Sequence, residues 1–594
     1  MLNLALVQFR PRKAAYDANL ARVQEIFRDL AGDPEPPGLV VFPEAALTGY
    51  FLEGGVRELA RTAEQLFSDL SGAHAAAKAP PMDVIIGFYE LFDTRLYNSA
   101  LAARLGGPGA GIRHVHRKIF LPTYGVFDEE RFVDPGRDAR AFDLAWGRCA
   151  ALVCEDAWHS LVPTLAALDG ALVIVVVSAS PARGPHPSPA GEEGMRPTSV
   201  RRWDRVAQQV AGEHGVYVVL AQLAGFEGGK GLQGASIVAG PSGEVIAGGP
   251  LFEEAVIRVP LDLEAIERAR ADSPMLSDLE MRLPFLASRL SRLAGGDASA
   301  PGDQAAGPAV RSPVRPRSRP PEGDPLTIDP ELTRRWLVEF IRDEVVRRRG
   351  FTKAVIGLSG GVDSAVVAFL AAEALGAAQV TTVRMPYRSS SPDSLAHAQL
   401  VIDQLGVQAE TVDISDGVDG LAARLGDQPS PARLGNIMAR MRMITLFDRS
   451  AALEALPLGT GNKTERLFGY FTWHADDTPP VNPVGDLFKS QVWALARHLG
   501  VPEVIVTKPA SADLIAGQTD EGDFGISYPR ADAILHWLLL GHTPDAITRL
   551  GFSDEEIALV RRRLDSTHWK RRLPTVAMLS QTAIGEFYLR PVDY

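Results

Sequence analysis

Three residues whose chemistry suits acyl transfer occur in order along the first half of the chain. Glu44 follows an apolar run in VVFPE, Lys118 lies in HRKIFLPTYGVFDE, and Cys154 ends a second apolar run in ALVCEDAW. A thiol attacks a carbonyl carbon once it has lost its proton, and a carboxylate can accept that proton. A lysine can lower the thiol pKa and stabilise the oxyanion of a tetrahedral intermediate. Taken singly, each residue also has a plainer interpretation, since such a cysteine is commonly a small buried hydrophobe, as we expect of Cys149.

The second half of the chain contains a glycine-rich turn of a kind that binds phosphate. The segment SGGVDS joins a strand-like run, AVIGL, to a helix-like run, AVVAFLAAEAL. Backbone N–H groups and serine hydroxyls of such a turn wrap a pyrophosphate at the positive end of a helix, and glycine permits the close approach. A Walker loop needs a lysine at the helix start, whereas this segment has Asp363, a residue type that binds magnesium. An ordinary glycine-rich turn is the alternative interpretation.

The elements that must position these residues alternate between strands and helices. In the first half, the strand-like runs LNLALVQF, GLVVFPE, DVIIGFYE, CAALVCED, ALVIVVVSAS, VYVVLAQL and ASIVAG alternate with helical stretches such as 15–30 and 200–213, and GPSGEV is typical of a hairpin turn. In the second half, helices at 330–349 and 392–405 alternate with AVIGL, VTTVRMP and AETVDIS. Both halves are therefore predicted to be α/β, and the second to hold a parallel sheet. No internal repeat relates them.

Composition limits the class of protein. The chain has 594 residues, 46% of them hydrophobic, and a net charge of -12, which predicts two or three domains and disfavours a nucleic-acid-coating protein. Residues 294–325 are rich in Pro, Gly, Ala and Ser and are predicted to be an exposed connector, with an arginine-rich binding arm as the alternative. We predict domains at 1–265 and 326–594, with a connecting helix and linker at 266–325.

The two cysteines and the apolar runs bear on location. A strand holding both Cys149 and Cys154 would separate them by about 17 Å, so a local disulfide is not expected. The opening MLNLALVQF is typical of a strand rather than of a signal peptide, and the longest strongly apolar run, 171–177, cannot span a bilayer. We therefore expect a cytoplasmic protein with small-molecule partners and with neither nucleic acid nor membrane among them.

The order FPE, RKxxLPxYGVFDE, CED resembles the Glu-Lys-Cys triad of the nitrilase family. This resemblance implies a four-layer α-β-β-α sandwich in which Glu44 is the base, Lys118 stabilises the oxyanion and Cys154 is the nucleophile that forms a glutamyl thioester. The YGVFDE segment resembles the branch of that family fused to NAD synthetases, which implies that Tyr124 and Ser180 contact glutamine. That branch usually has an arginine soon after the serine. Its candidate here is Arg183.

The segment SGGVDS resembles the PP-loop of ATP pyrophosphatases, which cleave ATP to AMP and pyrophosphate, and implies a parallel-sheet adenine nucleotide alpha-hydrolase-like domain. No cysteine follows Cys154, which disfavours sulfur transfer, and Leu2 follows Met1, which excludes an N-terminal-cysteine glutaminase. The segments GNIMARMRM, LGTGNKTERLFGYFT, NPVGDLFKSQVWALA, ADLIAGQTDE and HWKRRLPTVAMLSQ resemble NAD synthetases.

The NAD synthetase resemblance implies roles for individual residues. Asp363 and Glu465 would bind Mg²⁺. The residues expected to bind deamido-NAD are Arg440, Glu465 and Lys570. The residues expected to bind ATP are Ser359, Gly360, Gly361, Val362, Asp363, Ser364, Thr460, Lys489 and Ser511.

The sequence departs from the family pattern near the expected substrate site. Trp473 and Pro480 replace a lysine and an aspartate that touch deamido-NAD in many family members, and Trp569 separates His568 from Lys570, where the family has a His-Lys pair. Trp473 either stacks on the nicotinate or packs in a core.

Together these resemblances imply glutamine-dependent amidation of deamido-NAD to NAD, with ATP as co-substrate and Mg²⁺ as cofactor. Ammonia released by the first domain would reach an acyl-adenylate made by the second. The alternative is a nitrilase-type amidase whose PP-loop domain only senses a nucleotide. The resemblance also suggests a homo-oligomer.

Overall fold

The computed structural model describes residues 1–52, 55–187, 196–293, 324–425, 427–511 and 519–572. They form two compact units. The first unit comprises residues 1–184 and 197–293, and the second comprises residues 185–187 and 196 together with the described residues from 324 onward. The predicted domain boundaries stay predictions, because most of the predicted linker lies outside the described residues. No helix in the described ranges is long and apolar enough to cross a membrane.

The first unit is built on two six-stranded sheets and a two-stranded ribbon. Its strands are β1 (Leu2–Gln8), β2 (Leu39–Val41), β3 (Met82–Phe92), β4 (Arg95–Leu105), β5 (Gly111–Arg117), β6 (Phe142–Leu144), β7 (Gly147–Val153), β8 (Val173–Ser178), β9 (Tyr217–Gln222), β10 (Ala224–Glu227), β11 (Lys230–Gln233), β12 (Ile237–Ala239), β13 (Val245–Gly248) and β14 (Ala255–Leu261). The sheet orders are β14-β1-β2-β3-β4-β5 and β13-β12-β9-β8-β7-β6, and β10 pairs with β11.

Helices cover the outer faces of these two sheets. They are α1 (Tyr16–Ala31), α2 (Val56–Leu59), α3 (Ala63–Ala77), α4 (Leu161–Leu168), α5 (Thr198–His214) and α6 (Glu264–Asp272); a further helix, α7 (Met275–Leu293), follows them and is mostly exposed. Alternation along β1 explains the layering: Leu4 and Leu6 pack in the cluster shared with the second sheet, whereas Ala5 and Val7 pack with α1 and α3. On the far side, α5 buries Trp203 against β8 and β9. The expected four-layer α-β-β-α sandwich is confirmed.

The second unit holds a four-stranded parallel sheet in the order β17-β16-β15-β18. Its strands are β15 (Lys353–Gly357), β16 (Val380–Arg384), β17 (Gln408–Thr411) and β18 (Ala455–Leu458). Its helices are α8 (Pro330–Ile341), α9 (Val362–Leu375), α10 (Pro392–Leu405), α11 (Ser415–Ala422), α12 (Pro431–Leu453), α13 (Lys463–Phe468), α14 (Lys489–Leu499), α15 (Glu503–Val506), α16 (Asp520–Phe524), α17 (Tyr528–Leu539), α18 (Pro544–Thr548) and α19 (Asp554–Ser566). The sheet is covered on both faces, as the predicted parallel sheet requires.

Candidate functional site

The three residues predicted to form a triad all follow the ends of strands in the first unit. Lys118 follows β5 directly, Cys154 follows β7 directly, and Glu44 comes three residues after β2. The backbone is left-handed at Cys154, with a φ of 45°, and at Ala45, with a φ of 50°. Left-handed backbone at a non-glycine residue costs energy and concentrates at functional turns.

Glu44 and Lys118 lie in a fully buried polar cluster. Lys118 Nζ is 3.0 Å from Glu44 Oε1 and 2.7 Å from Glu129 Oε2. Asn98 Nδ2 donates to both carboxylates, at 2.7 Å to Glu44 Oε1 and 2.8 Å to Glu129 Oε1. Among the described residues, Glu44 Oε2 has no hydrogen-bond partner. One carboxylate oxygen is thus held in place while the other is left to exchange a proton.

The Cys154 thiol lies among small polar side chains. Ser178 Oγ donates to Cys154 Sγ at 3.4 Å, and Ser180 Oγ lies 4.0 Å from the same sulfur. Trp203 Nε1 donates to Ser180 Oγ at 2.7 Å, and the Ser180 amide donates to the Gln222 side chain. Predicted residue Ser180 is therefore beside the thiol, although Ser178 is the nearer hydroxyl.

Asp156 connects the turn that contains Cys154 to the backbone immediately after Lys118. Its Oδ1 accepts from the amides of Ile119 and Phe120, at 2.9 and 3.0 Å, and its Oδ2 lies 2.8 Å from His116 Nε2. Because Asp156 is two residues beyond Cys154, one carboxylate holds both turns in register.

Burial controls the protonation of this cluster. Burial raises the pKa of the Cys154 thiol, Glu44 adds to that rise and Lys118 opposes it, so the resting thiol is neutral. Burial raises the pKa of Glu44 as well, against Lys118. For Lys118 burial lowers the pKa, but Glu129 and Glu44 outweigh burial and hold that pKa well above its usual value. The cluster therefore pairs a permanent cation with a carboxylate suited to proton exchange.

Tyr124, the other residue predicted to contact glutamine, and Arg183, the candidate for the family arginine after Ser180, lie at the surface. Tyr124 is exposed, and its hydroxyl donates to Glu155 Oε2 at 2.8 Å. Arg183 is also exposed, with its guanidinium beside Gly125.

Sequence reasoning missed Asn98 and three other residues of the cluster. Glu129 could have been predicted, because it is the last residue of the YGVFDE segment. The others stand in ordinary strand and helix patterns, which do not indicate a role in the site. Those missed residues are Asn98, Glu129, Ser178 and Trp203.

In the second unit, the glycine-rich turn runs from the end of β15 into α9. Gly360 has a φ of 78°, and a Cβ built on it would lie 2.1 Å from the Ser394 carbonyl oxygen, so only glycine fits. Ser359 Oγ accepts from the Gly361 amide at 3.3 Å and lies 3.1 Å from Ser364 Oγ. Within the described part of the chain, no side chain caps α9. The turn thus presents backbone N–H groups and hydroxyls at a helix N-terminus, the arrangement that binds phosphate.

Two carboxylates and an ammonium converge beside this turn. Lys489 Nζ forms an ion pair with Asp363 and lies 3.7 Å from Glu465 Oε1. Asn462 Nδ2 donates to Asp363 Oδ1 at 3.1 Å, and Asn462 Oδ1 accepts from the Glu465 amide at 3.0 Å. Burial and the Asp363 charge raise the pKa of Glu465 to about 8.

Asp532, which the sequence analysis did not predict, supports this cluster through hydrogen bonds to the chain neighbours of Glu465 and Lys489. It is fully buried, and its oxygens accept from Thr464 Oγ1 at 2.5 Å and from the amide and hydroxyl of Ser490 at 2.9 and 2.7 Å. Thr464 precedes Glu465 and Ser490 follows Lys489. Asp532 therefore positions the elements that present the two charged residues.

A cavity of about 520 Å³ opens over the turn. It contains ten of the predicted nucleotide and substrate residues, but Gly360 and Arg440 are not in its lining. Arg440 instead donates to the Trp473 carbonyl oxygen at 3.2 Å. The ten residues are Ser359, Gly361, Val362, Asp363, Ser364, Thr460, Glu465, Lys489, Ser511 and Lys570.

Two of the departures from the family pattern, Trp473 and Trp569, lie in contact with each other. Lys570 Nζ donates to the carbonyl oxygens of Gly469 and Phe471, at 2.7 and 2.9 Å. Trp473 is half-buried, meets Trp569 edge-on at 5.2 Å and belongs to no core cluster of the described residues. Segments ADLIAGQTDE and HWKRRLPTVAMLSQ lie largely outside the described residues.

The two units correspond to two protein families. Residues 3–271 match the carbon-nitrogen hydrolase family, and residues 334–574 match NAD synthase. The chain thus joins a unit that matches carbon-nitrogen hydrolases to a unit that matches NAD synthases. The NH(3)-dependent NAD(+) synthetase of Chlorobaculum parvum (strain DSM 263 / NCIMB 8327) is 46% identical over 265 residues, which are 44% of this chain and 95% of the relative. That of Trichlorobacter lovleyi is 45% identical over 270 residues, 45% of this chain and 98% of the relative. The chain belongs to the NAD synthase family.

Solved structures are similar to this chain over nearly its whole length. The glutamine-dependent NAD+ synthetase from Acinetobacter baumannii, in complex with ADP, superimposes with a TM-score of 0.69 at 23% identity and covers 100% of this chain and 98% of its own. At this identity the likeness concerns the fold. The expected family and fold class are confirmed.

Proposed function

We propose that this NAD synthase takes its nitrogen from glutamine: the first unit hydrolyses glutamine, and the second uses the ammonia to convert deamido-NAD to NAD. One observation carries the proposal. A single chain contains both a buried Glu44–Lys118 ion pair whose two charges act on the pKa of the Cys154 thiol, in a unit that matches the carbon-nitrogen hydrolase family, and a glycine-rich turn suited to phosphate, in a unit that matches the NAD synthase family. The first unit would have no use in an enzyme supplied with free ammonia.

The first reaction uses the geometry around Cys154. The thiol sulfur attacks the side-chain amide carbon of glutamine while Glu44 accepts the thiol proton, and Lys118 stabilises the oxyanion. The C–N bond then breaks, Glu44 returns the proton to the leaving nitrogen, and ammonia departs from a glutamyl thioester. Water, deprotonated by Glu44, hydrolyses the thioester to glutamate and the free thiol. Tyr124, Ser180 and Arg183 would bind the substrate.

The second reaction takes place in the cavity over the glycine-rich turn. An oxygen of the nicotinate carboxylate attacks the α-phosphorus of ATP and pyrophosphate leaves. Ammonia then attacks the acyl-adenylate, losing a proton as AMP leaves. The residues expected to bind ATP line the cavity except Gly360, which shapes the turn, and Lys570 and Glu465 would contact deamido-NAD. Arg440, outside the lining, would contact the parts of deamido-NAD that extend beyond the cavity.

Magnesium fits the residues present. Asp363 and Glu465 both face the Lys489 ammonium, so hard oxygen donors already meet at a point that accepts positive charge. These two carboxylates would hold Mg²⁺, which neutralises phosphate charge when bound. Lys489 would add a second positive charge next to the phosphates.

The test separates the two reactions by nitrogen source. Cys154→Ala should abolish glutamine-dependent NAD formation and leave ammonium-dependent formation within about twofold, because the thiol serves only to release ammonia. NAD and AMP are followed together in each assay. Equal loss with both donors would contradict the assignment of Cys154. A native enzyme that hydrolyses glutamine but releases no pyrophosphate with deamido-NAD would instead support the alternative of an amidase with a nucleotide-sensing unit. A homo-oligomer in the cytoplasm completes the proposal.

A further inference from the structure

A buried hydrogen bond joins the two large sheets of the first unit beside Cys154. His116 lies in β5 of one sheet, and Asp156 lies in the Cys154 turn, Cys154–Trp158, which follows β7 of the other. His116 Nε2 is 2.8 Å from Asp156 Oδ2, and both side chains are fully buried. Because backbone amides donate to both oxygens of Asp156, this carboxylate is the acceptor and the imidazole N–H donates.

Stability alone does not explain a histidine at position 116. Among the described residues, His116 Nδ1 is buried without a hydrogen-bond partner. An unpaired buried polar atom costs free energy, which an apolar side chain of similar size would avoid. Asp156 does not depend on the histidine for its hydrogen bonds, because three backbone amides already donate to it.

The two oxygens of Asp156 are held from different sides. Oδ1 accepts from the amides of Ile119 and Phe120, which follow β5, and Oδ2 accepts from His116 and, at 3.3 Å, from the Val153 amide. Val153 directly precedes the Cys154 turn, so its amide cannot fix that turn against the other sheet. Without a donor at position 116, Asp156 would be tied to the segment after β5 through Oδ1 alone and could pivot about that oxygen.

We propose that His116 is a positioning residue for glutamine hydrolysis. Through Asp156 it fixes the orientation of the Cys154 turn, so that the thiol is aligned with Glu44 and Lys118. His116 itself neither touches the substrate nor transfers a proton. This inference rests on the proposed function, which makes Cys154 the nucleophile.

The expected effect is on the rate of hydrolysis rather than on the binding of glutamine. Lys118 is held independently by its ion pairs with Glu44 and Glu129, so loss of the His116 bond moves the thiol and not the ammonium. A misplacement of about 1 Å at a reacting group costs on the order of 100-fold in rate. Ser180, proposed to bind glutamine, is held by hydrogen bonds of its own, so the glutamine KM should change little.

The test compares two substitutions that separate hydrogen bonding from packing. His116→Gln keeps an N–H at about the reach of Nε2, whereas His116→Leu fills the space without a donor. Glutaminase kcat should fall about 100-fold in His116→Leu and stay within about fivefold of native in His116→Gln, with the glutamine KM within about twofold of native in both. The thermal unfolding midpoint of His116→Leu should be no lower than that of His116→Gln, because leucine leaves no polar atom of its own unpaired.

A second readout follows the thiol without glutamine. The rate at which iodoacetamide alkylates Cys154 should fall at least about tenfold in His116→Leu, because the thiol loses its alignment with the base Glu44. A failure of the proposed function would appear separately, as a native enzyme that does not hydrolyse glutamine. The matched control is His114→Leu on the same face of β5, where the His114 ring stacks on Phe142 at 4.9 Å. Its kcat and alkylation rate should stay native.

Several results would overturn the positioning role. One is a folded His116→Leu variant with native glutaminase kcat and native alkylation rate. Another is His116→Gln that is as slow as His116→Leu, since restoring the donor would then restore nothing. A loss in His114→Leu as large as that in His116→Leu would assign the effect to disturbance of β5. Where His116→Leu does not fold, His116→Asn replaces it, because its shorter amide cannot reach Asp156, and equal kcat in the Asn and Gln variants would contradict the proposal.

Discussion

Replacing Gly87 by alanine should disable glutamine hydrolysis without touching the reacting groups. Gly87 lies in β3, where its amide donates to the Pro43 carbonyl oxygen at 3.0 Å and its carbonyl accepts from the Ala46 amide at 3.1 Å. These bonds hold the Glu44 backbone against the strand. A Cβ at position 87 would lie 2.4 Å from Glu44 Cα and 2.8 Å from the Pro43 oxygen. Both are backbone atoms that no rotamer change can move.

The size of the effect follows from that clash. Ordinary van der Waals contact begins near 3.4 Å, so Glu44 must shift by about 1 Å to admit the methyl group. A misplacement of about 1 Å at a catalytic group costs on the order of 100-fold in rate, and overpacking costs about 1–3 kcal/mol of stability. We expect glutaminase kcat to fall about 100-fold. Ammonium-dependent NAD formation belongs to the second unit and should change less than twofold.

The assay pairs steady-state glutamate release with ammonium-dependent NAD formation on the same preparation. Gly72→Ala in α3 is the matched control, since nothing lies within 4 Å of its Cβ and alanine favours a helix by up to about 1 kcal/mol. Native glutaminase kcat in Gly87→Ala, with a folded protein, would refute the idea that this close approach positions Glu44.

Two further predictions concern the second unit. Asp363→Asn should lower AMP formation at least tenfold with glutamine and with ammonium alike, because the amide is a weaker ligand for a hard cation; quantifying AMP and ADP checks this, and ADP as product would exclude PP-loop chemistry. Asp532→Asn tests the buried support: burial raises the Asp532 pKa to about 6 from 3.8, so the folded state keeps a proton that the unfolded state loses. Stability contributed by protonated Asp532 should therefore fall by about 3 kcal/mol as pH rises from 3.8 to 6. Unfolding midpoints across that range should fall less steeply in the variant, and parallel native and variant profiles would contradict this.

Much of the fold was predictable because its strands are strongly apolar. The runs that became β7, β8 and β9 are buried on both faces, and GPSGEV is indeed the turn between β12 and β13. The helix predicted at 392–405 is α10. By contrast, β5 and β13 were not predicted, because β5 is a mixed and only partly buried sequence and β13 is largely exposed, so pairing with a neighbouring strand rather than apolar pattern creates them. The strand predicted in AETVDIS overlaps β17, although β17 is largely exposed.

The helix predicted at 330–349 shows a finer limit. It is α-helical only to Ile341 and then continues as a π-helical segment, Arg342–Arg348. Helical spacing does not distinguish these two forms over two turns.

The candidate sites were predictable only where sequence neighbours carry the chemistry. Glu44, Lys118 and Cys154 stand in compact motifs, and so does the glycine-rich turn. Asn98 is 54 positions from the carboxylate it holds, and Asp532 is 68 positions from Thr464. A contact of that kind depends on the register of β4 or the placement of α17. One sequence does not specify these, because any buried polar residue has many partners of suitable type.

Because the chain has only two cysteines, thiol labelling can report how many folded chains have an accessible Cys154. Cys149 is fully buried in the interior of the first unit, whereas Cys154 lies at a strand end beside two serine hydroxyls. A substrate-like electrophile that enters the first unit therefore meets one sulfur per chain, while a denatured chain presents two. The ratio of label bound before and after unfolding would therefore measure the fraction of chains in which the Cys154 site is intact.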